Sequence, residues 1–444
     1  MTQEPVESAD AALGAGRLHP YRLAEDRRQK VRTMSEGLVR PADTRRRPAV
    51  ILLSASRGYS SLLFALLKST SAFVALPGEH THIYKLTGIS EMLSPQSDDA
   101  VRHISFRKIE AFWQSLNWEL GDNARRPDAT FLSLRVAHQL YAQWLDLPEP
   151  EDLIPLLEQV IGSMSETALQ DDSRKFLSIV RSLRSRGIAI NPWYYDIPSQ
   201  RVRDYFPNLP VPSGPPELLT PVEEPPFIVP ILGRCGSSFR SEERPLLLKA
   251  SVDAYRVNML HRLFGERATF VHLTRNPAAS VSGLIDGWLS HKFYSYALPS
   301  GYLDIDGYTS TPAGAKGWWK FDAPPGWQAM KSSPLLEVCA FQWLEAHRAI
   351  LDSTQSVNAI QIMTEKVVSA NDRTSLIGDI MAMVSLKVSD IRIDTDPIVM
   401  ASVPPALGRW RRRREMIHPI LNTEAILAMA HKLGYNTGSE QTWI

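Results

Sequence analysis

Cysteine is nearly absent: Cys235 and Cys339 are the two thiols in a chain of 444 residues. That count excludes a disulfide framework and a cysteine-based metal cluster. Both thiols read as reduced core residues of a cytoplasmic protein. No apolar run reaches the length of about 18 residues that crosses a bilayer, so no membrane span is expected. The opening MTQEPVESADAALGAG is acidic and rich in small residues, unlike a secretory leader. An excess of one charge is missing too. The net charge of +1 argues against nucleic acid as a partner and makes any anion site local. No internal repeat is visible. What is there is 44% apolar and 22% charged, the profile of a soluble globular protein. The length suits one large elaborated domain or two smaller ones.

Residues 1–46 read as an N-terminal extension, disordered over 1–16, with one basic helix ending near Pro41. Residues 47–444 read as one elaborated domain. Its first strand runs from Ala49 to Ser54, and Ser60 to Lys68 follows as a helix. From about 89 to 206 the apolar spacing is mostly helical, an insertion. Pro207 to Pro230 holds nine prolines in 24 residues, which excludes regular helix or central strand. It reads as an extended crossing on the surface. RPLLLKAS is then a strand, VNMLHRLFG a helix, ATFVHLTRNP a strand and ASVSGLIDGWL a helix. Strand and helix alternating with short joints mean a parallel α/β sheet. Residues 291–327 are rich in Tyr, Trp, Gly and Pro with little periodicity, which suits a lid or binding loop. LLEVCAFQWLEAHRAILDS is a strong helix, and AIQIMTEKVV a short strand with a polar end.

Three places invite an anion. After the first strand comes Ser56-Arg57-Gly58-Tyr59-Ser60-Ser61. Backbone N–H groups in a tight turn and the next helix N-terminus attract negative charge there. The Ser60 and Ser61 hydroxyls add donors, and the Arg57 fork suits phosphate or sulfate oxygens. No Gly-Lys-Ser/Thr ending is present. The second place is HLTRNPAASVSGL, with Arg275 at the carboxyl end of a strand and Ser280 or Ser282 in the helix behind it. The third is GRWRRRRE, with five Arg in six positions around Trp410. A plain reading of each stands beside the functional one: a strand–helix joint, a capped helix and a solvated basic face.

Together these segments resemble the sulfotransferase family that uses 3′-phosphoadenosine 5′-phosphosulfate (PAPS), in a bacterial-type form. The first loop resembles that family's 5′-phosphosulfate loop, and FVHLTRNPAASVSG its 3′-phosphate motif. AIQIMTEKVV resembles the strand end Tyr-Glu-Asp-Leu, and GRWRRRREMIHPI the C-terminal segment that closes over the nucleotide. The resemblance implies an α/β, P-loop sulfotransferase-like three-layer fold with a central parallel sheet, a large helical insertion and an aromatic lid. It covers roughly residues 47–88, 245–290 and 335–435. The implied cofactor-binding residues are Arg57, Gly58, Tyr59, Ser60, Ser61, Arg275, Ser280, Ser282, Arg409, Trp410 and Arg411. The implied reaction moves a sulfuryl group from PAPS to a hydroxyl or amine of a small-molecule, natural-product or glycan acceptor. No metal is required, and no metal-ligand spacing is visible.

The chain departs from the family pattern in ways that matter. Tyr59 stands where the family has glycine, so it either distorts the loop or reaches into the site. Gly283 stands eight residues after Arg275, so the motif's serine is Ser282 only with a one-residue shift. Lys249-Ala250-Ser251 lacks the His of the cytosolic Lys-Thr-His turn. LPGEHTHIY instead resembles the Gly-Glu segment of tyrosylprotein sulfotransferases, which makes Glu79 the implied general base. His82 is its rival, and His80 is a substrate contact. Trp318, Trp319 and Trp327 would face the acceptor. His272 reads as a core residue. A competing loop, ILGRCGSSFR (Ile231 to Arg240), resembles that of carbohydrate sulfotransferases but leaves no room for the helix a phosphate loop must open. The alternatives are a P-loop kinase-type phosphotransferase and a non-catalytic nucleotide-binding protein of the same fold. A homodimer is a possible further partner.

Overall fold

The computed structural model of the protein describes residues 22–70, 72–90, 96–99, 104–123, 128–164, 171–216, 222–230, 244–299, 301–315, 317–384 and 408–436. The N-terminal 1–16 and the competing loop 231–240 lie outside the described residues. No helix among the described residues is long and apolar enough to cross a membrane.

The centre is a parallel sheet of five strands: β1 (Ala49–Leu53), β2 (Val74–Ala75), β3 (Leu246–Lys249), β4 (Ala268–Thr274) and β5 (Ala359–Met363). Their spatial order is β2-β3-β1-β4-β5, all parallel. Ala49, Ile51 and Leu53 enter one core, while Val50 and Leu52 enter another on the opposite face. Both faces are thus covered, as a parallel sheet of continuous apolar strands demands. Helix α1 (Ser60–Ser69) covers one face with Leu63, Phe64, Leu66 and Leu67. Helices α2 (Pro277–Trp288) and α3 (Leu335–Thr354) cover the other, and they pack on each other. The fold is α/β with helices on both sides of a parallel sheet.

The insertion is helical: Phe106–Glu119, Ala129–Gln143, Pro150–Gly162 and Asp172–Arg184. It keeps largely its own core, including Leu140, Leu157, Phe176 and Val180. The basic N-terminal helix spans 22–34 and stops before Pro41. Gly37 turns the chain there at φ 79°, and Val39–Arg40 pairs with Asp122–Asn123 instead.

Two expectations need correction. Among its described residues the Pro-rich crossing forms no helix and no strand, but its last part is not on the surface. Val222 and Phe227 are fully buried, and Phe227 exchanges backbone hydrogen bonds with Tyr194 and Asp196 of the insertion. With so few N–H groups of its own, the segment borrows partners from its neighbours. The aromatic segment holds an antiparallel pair, Tyr294–Ala297 with Trp318–Lys320, and its largest rings enter the main core. Tyr308, Trp319 and Trp327 surround Trp288 of α2 or one another at 4.7–5.1 Å.

Candidate active site

The carboxyl ends of β1, β3, β4 and β5 meet along one edge of the sheet, and the sequence-predicted loop sits at its centre. Gly58 donates its N–H to the Ala55 carbonyl at 3.0 Å. A Cβ on Gly58 would lie 2.8 Å from that oxygen, so only glycine closes this turn. Tyr59 is the N-cap of α1 with φ 67° and ψ 10°, and no side chain caps the helix. Leu62 N–H turns back to the Tyr59 carbonyl at 3.0 Å, and the Tyr59 side chain caps neither Ser60 nor Ser61 N–H, a helix start of the kind that favours an anion.

Four non-glycine residues take the left-handed region among the described residues: Arg57, Tyr59, Phe293 and Phe321. All four belong to this site. The Arg57 guanidinium lies 5.0 Å from the Phe293 ring, and Phe293 stacks on Phe321 at 4.8 Å. Gly287 of α2 makes room for Phe321, since a Cβ there would come within 2.2 Å of its ring. Such clustering of strained backbone is characteristic of functional sites. Burial and the neighbouring Arg275 push the Arg57 pKa down to about 10, so it stays charged at neutral pH.

Arg275 follows β4 and crosses to the loop. Its NH1 donates to the Arg57 carbonyl at 2.8 Å, and its guanidinium lies 4.3 Å from the Tyr59 ring. Burial pulls its pKa down as well. Asn276 caps α2 through Ala279 N at 2.8 Å, and Pro277 occupies the first turn. Ser280 is fully buried. Its hydroxyl and the Arg275 Nε have no hydrogen-bond partner among the described residues.

The C-terminal basic run docks on the same helix as a short 3-10 turn, Arg409–Arg413. Arg409 bonds Asp286 Oδ2, and Arg413 reaches Asp286 Oδ1 at 2.7 Å and Ser282 Oγ at 3.1 Å. Trp410 is buried while Arg411 is exposed. Ser282 is thus held by Arg413, a residue the sequence reading passed over within the run.

The missed residue with the largest consequence is Lys249, at the end of β3. It is 6% exposed. Its Nζ donates to Ser61 Oγ at 2.9 Å and to Glu79 Oε1. Glu79 also accepts from Ser251 N at 3.1 Å. The loop and the candidate base are therefore joined through one ammonium. A lysine closing an otherwise apolar strand was a legible sign of this. Asp322 is a second omission. Its carboxylate accepts from Ser56 and Tyr255, each at 2.5 Å, and ties the aromatic segment to the loop. Burial pushes its pKa up.

Several expected contacts lie elsewhere. His80 is fully buried and bonds Tyr84 at 2.7 Å, near Asp253, so it faces the core rather than a cleft. His82 binds Glu119 at 2.8 Å in a cluster with Arg28 of the N-terminal helix. That contact takes it away from the loop. Trp319 and Trp327 are fully buried and Trp318 is 8% exposed. Each packs on a neighbouring ring: Trp318 on Tyr294, and Trp319 on Trp288 and Trp327. His272 is a core residue, paired with His347 at 2.9 Å, and burial holds its pKa down at about 4.

No protein-family model matches the chain, and no curated protein matches it. Two solved structures are similar. One is a sulfotransferase domain from the curacin biosynthetic pathway: 11% identity over 88% of this chain and 98% of that chain, with a TM-score of 0.38. The other is a sulfotransferase domain from the Synechococcus PCC 7002 olefin synthase: 12% identity over 89% of this chain and 98% of that chain, with a TM-score of 0.32.

Proposed function

We propose that the protein is a sulfotransferase that moves a sulfuryl group from PAPS to a hydroxyl or amine of a small-molecule, natural-product or glycan acceptor. One observation carries this reading. Arg57, Lys249, Arg275 and the unpartnered Ser280 hydroxyl converge on one sheet edge from three different strands. A ligand with two separated anionic groups fits that set. The cations Arg57, Lys249, Arg275, Arg409 and Arg413 outnumber the carboxylates around them, Glu79, Asp286, Asp322 and Glu365, which leaves positive charge in excess.

When bound, PAPS supplies an activated sulfuryl group on its 5′-phosphate. Arg57, Lys249 and the N–H groups opening α1 would hold the charge that develops on that phosphate. Arg275 and Ser280, with Ser282 and Arg413 behind them, would hold the 3′-phosphate. Glu79 would take the acceptor proton. Lys249 and Ser251 N–H each engage one of its oxygens and fix the carboxylate beside Ser61. The same engagement favours a second reading, a nucleotide-binding protein without turnover.

Calorimetry with adenosine 3′,5′-bisphosphate and with ATP tests the donor. Binding of ATP but not of the bisphosphate overturns the reading. Transfer of label from radiolabelled PAPS into an acceptor library separates the enzyme from the non-catalytic binder.

A further inference from the structure

Tyr59 stands in the left-handed region, where glycine is the ordinary choice. A side chain kept at such a position against its conformational cost has a task there. Its ring lies 4.3 Å from the guanidinium carbon of Arg275. The Arg57 carbonyl holds NH1 of the same group at 2.8 Å. Gly283 of α2 leaves room for this guanidinium, since a Cβ there would lie 3.4 Å from Arg275 NH1. Arg275 is thus fixed at its face and at one edge. The unpartnered Nε and the unpartnered Ser280 hydroxyl belong to the same turn and helix. Phe293 repeats the device: it is left-handed at φ 64°, its ring lies 5.0 Å from the Arg57 guanidinium, and Phe321 backs it.

We propose that Tyr59 and Phe293 are positioning residues, two aromatic pedestals that each hold one anion-binding arginine. Phe293 holds Arg57 for the 5′-phosphate side of a nucleotide. Tyr59 holds Arg275 for a second phosphate, and so sets the preference for a bisphosphate over a monophosphate. This rests on the donor reading above. Each arginine is presented rigidly, so little rotamer freedom is lost when the ligand binds.

The experiment compares the affinities of adenosine 3′,5′-bisphosphate and adenosine 5′-phosphate by calorimetry. Tyr59→Gly should weaken the bisphosphate roughly tenfold, the size of one lost aromatic–guanidinium contact, and change the monophosphate less than about twofold. Tyr59→Phe keeps the ring and should behave as wild type. Phe293→Gly should weaken both ligands by a similar factor and leave their ratio alone. Tyr59→Asn also tolerates the left-handed region and replaces the glycine variant should that one not fold, with the same change in ratio expected. An unchanged ratio in Tyr59→Gly, or Tyr59→Phe as weak as Tyr59→Gly, overturns the proposal while leaving the donor reading intact. A wild-type protein that binds neither nucleotide overturns both.

Discussion

Replacing Lys249 by Met keeps an apolar stem of similar length and deletes one ammonium. That ammonium is buried and joins Ser61 Oγ, at 2.9 Å, to Glu79. After the change Glu79 retains the Ser251 N–H at 3.1 Å. Its side chain is 25% exposed, so water takes over part of the lost contact. The cost in stability should fall between that of a surface pair and that of a fully buried one, about 2 kcal/mol. The effect on a ligand is larger in relative terms. One charge-assisted hydrogen bond to an anion is worth about 1.5–3 kcal/mol, so bisphosphate binding should weaken roughly 10- to 150-fold. Calorimetry at fixed ionic strength measures this, with chemical unfolding alongside. Glu79→Gln is the matched control. It releases Lys249 from its carboxylate, so affinity should hold or rise while turnover falls. Bisphosphate affinity within about twofold of wild type in Lys249→Met would refute the reasoning, because Lys249 would then only anchor Glu79.

Three further outcomes follow from the geometry. Gly58→Ala places a Cβ 2.8 Å from the Ala55 carbonyl, so the loop must shift. Nucleotide affinity should drop more than about tenfold while the melting temperature moves by only a few degrees, since the clash is local. Ser280→Ala removes a buried hydroxyl that has no partner among the described residues. Stability without ligand should stay level or rise, whereas bisphosphate affinity should fall about fivefold, as calorimetry and thermal melting will read. Glu119 provides the pH prediction. Burial pushes its pKa up, but His82 and Arg28 outweigh that and hold it at about 2, below the usual 4.5. A carboxyl depressed in the folded state contributes stability that is full above pH 4.5 and is lost as pH falls toward about 2. At about 1.36 kcal/mol per pH unit the contribution is roughly 3 kcal/mol, and Glu119→Gln should flatten that acid limb in unfolding curves.

Much of the sheet was legible because its strands are short apolar runs that alternate with amphipathic helices. β1, β3, β4 and β5 all fall on stretches whose β-branched or leucine-rich composition marks them. β2 escaped because two residues carry no period. The strand pair at Tyr294–Ala297 and Trp318–Lys320 escaped because a long loop separates partners that only tertiary packing brings together. Turn chemistry and their place after strands single out Arg57, Gly58 and Arg275 in the sequence, and the structure brings Arg275 to the Arg57 carbonyl. The surroundings of His80 and His82 were not legible, because a polar side chain at a helix start looks the same whether it faces solvent or a buried carboxylate. Their partners, Tyr84 with Asp253 and Glu119, come from a neighbouring helix turn and from distant segments.

By itself, then, the sequence determined the parallel α/β plan, the loop after the first strand and the arginine after the fourth. These depend on local composition and spacing. Only the tertiary structure decided which cations reach that loop. Lys249 reaches Ser61 because β3 lies beside β1 in the sheet, although nearly two hundred residues intervene (|i−j| = 188). Arg413 reaches Ser282 because its segment folds back onto α2. Tyr59 found its meaning the same way. A residue that strains its own turn acquires a reason once Arg275 is seen lying on its ring.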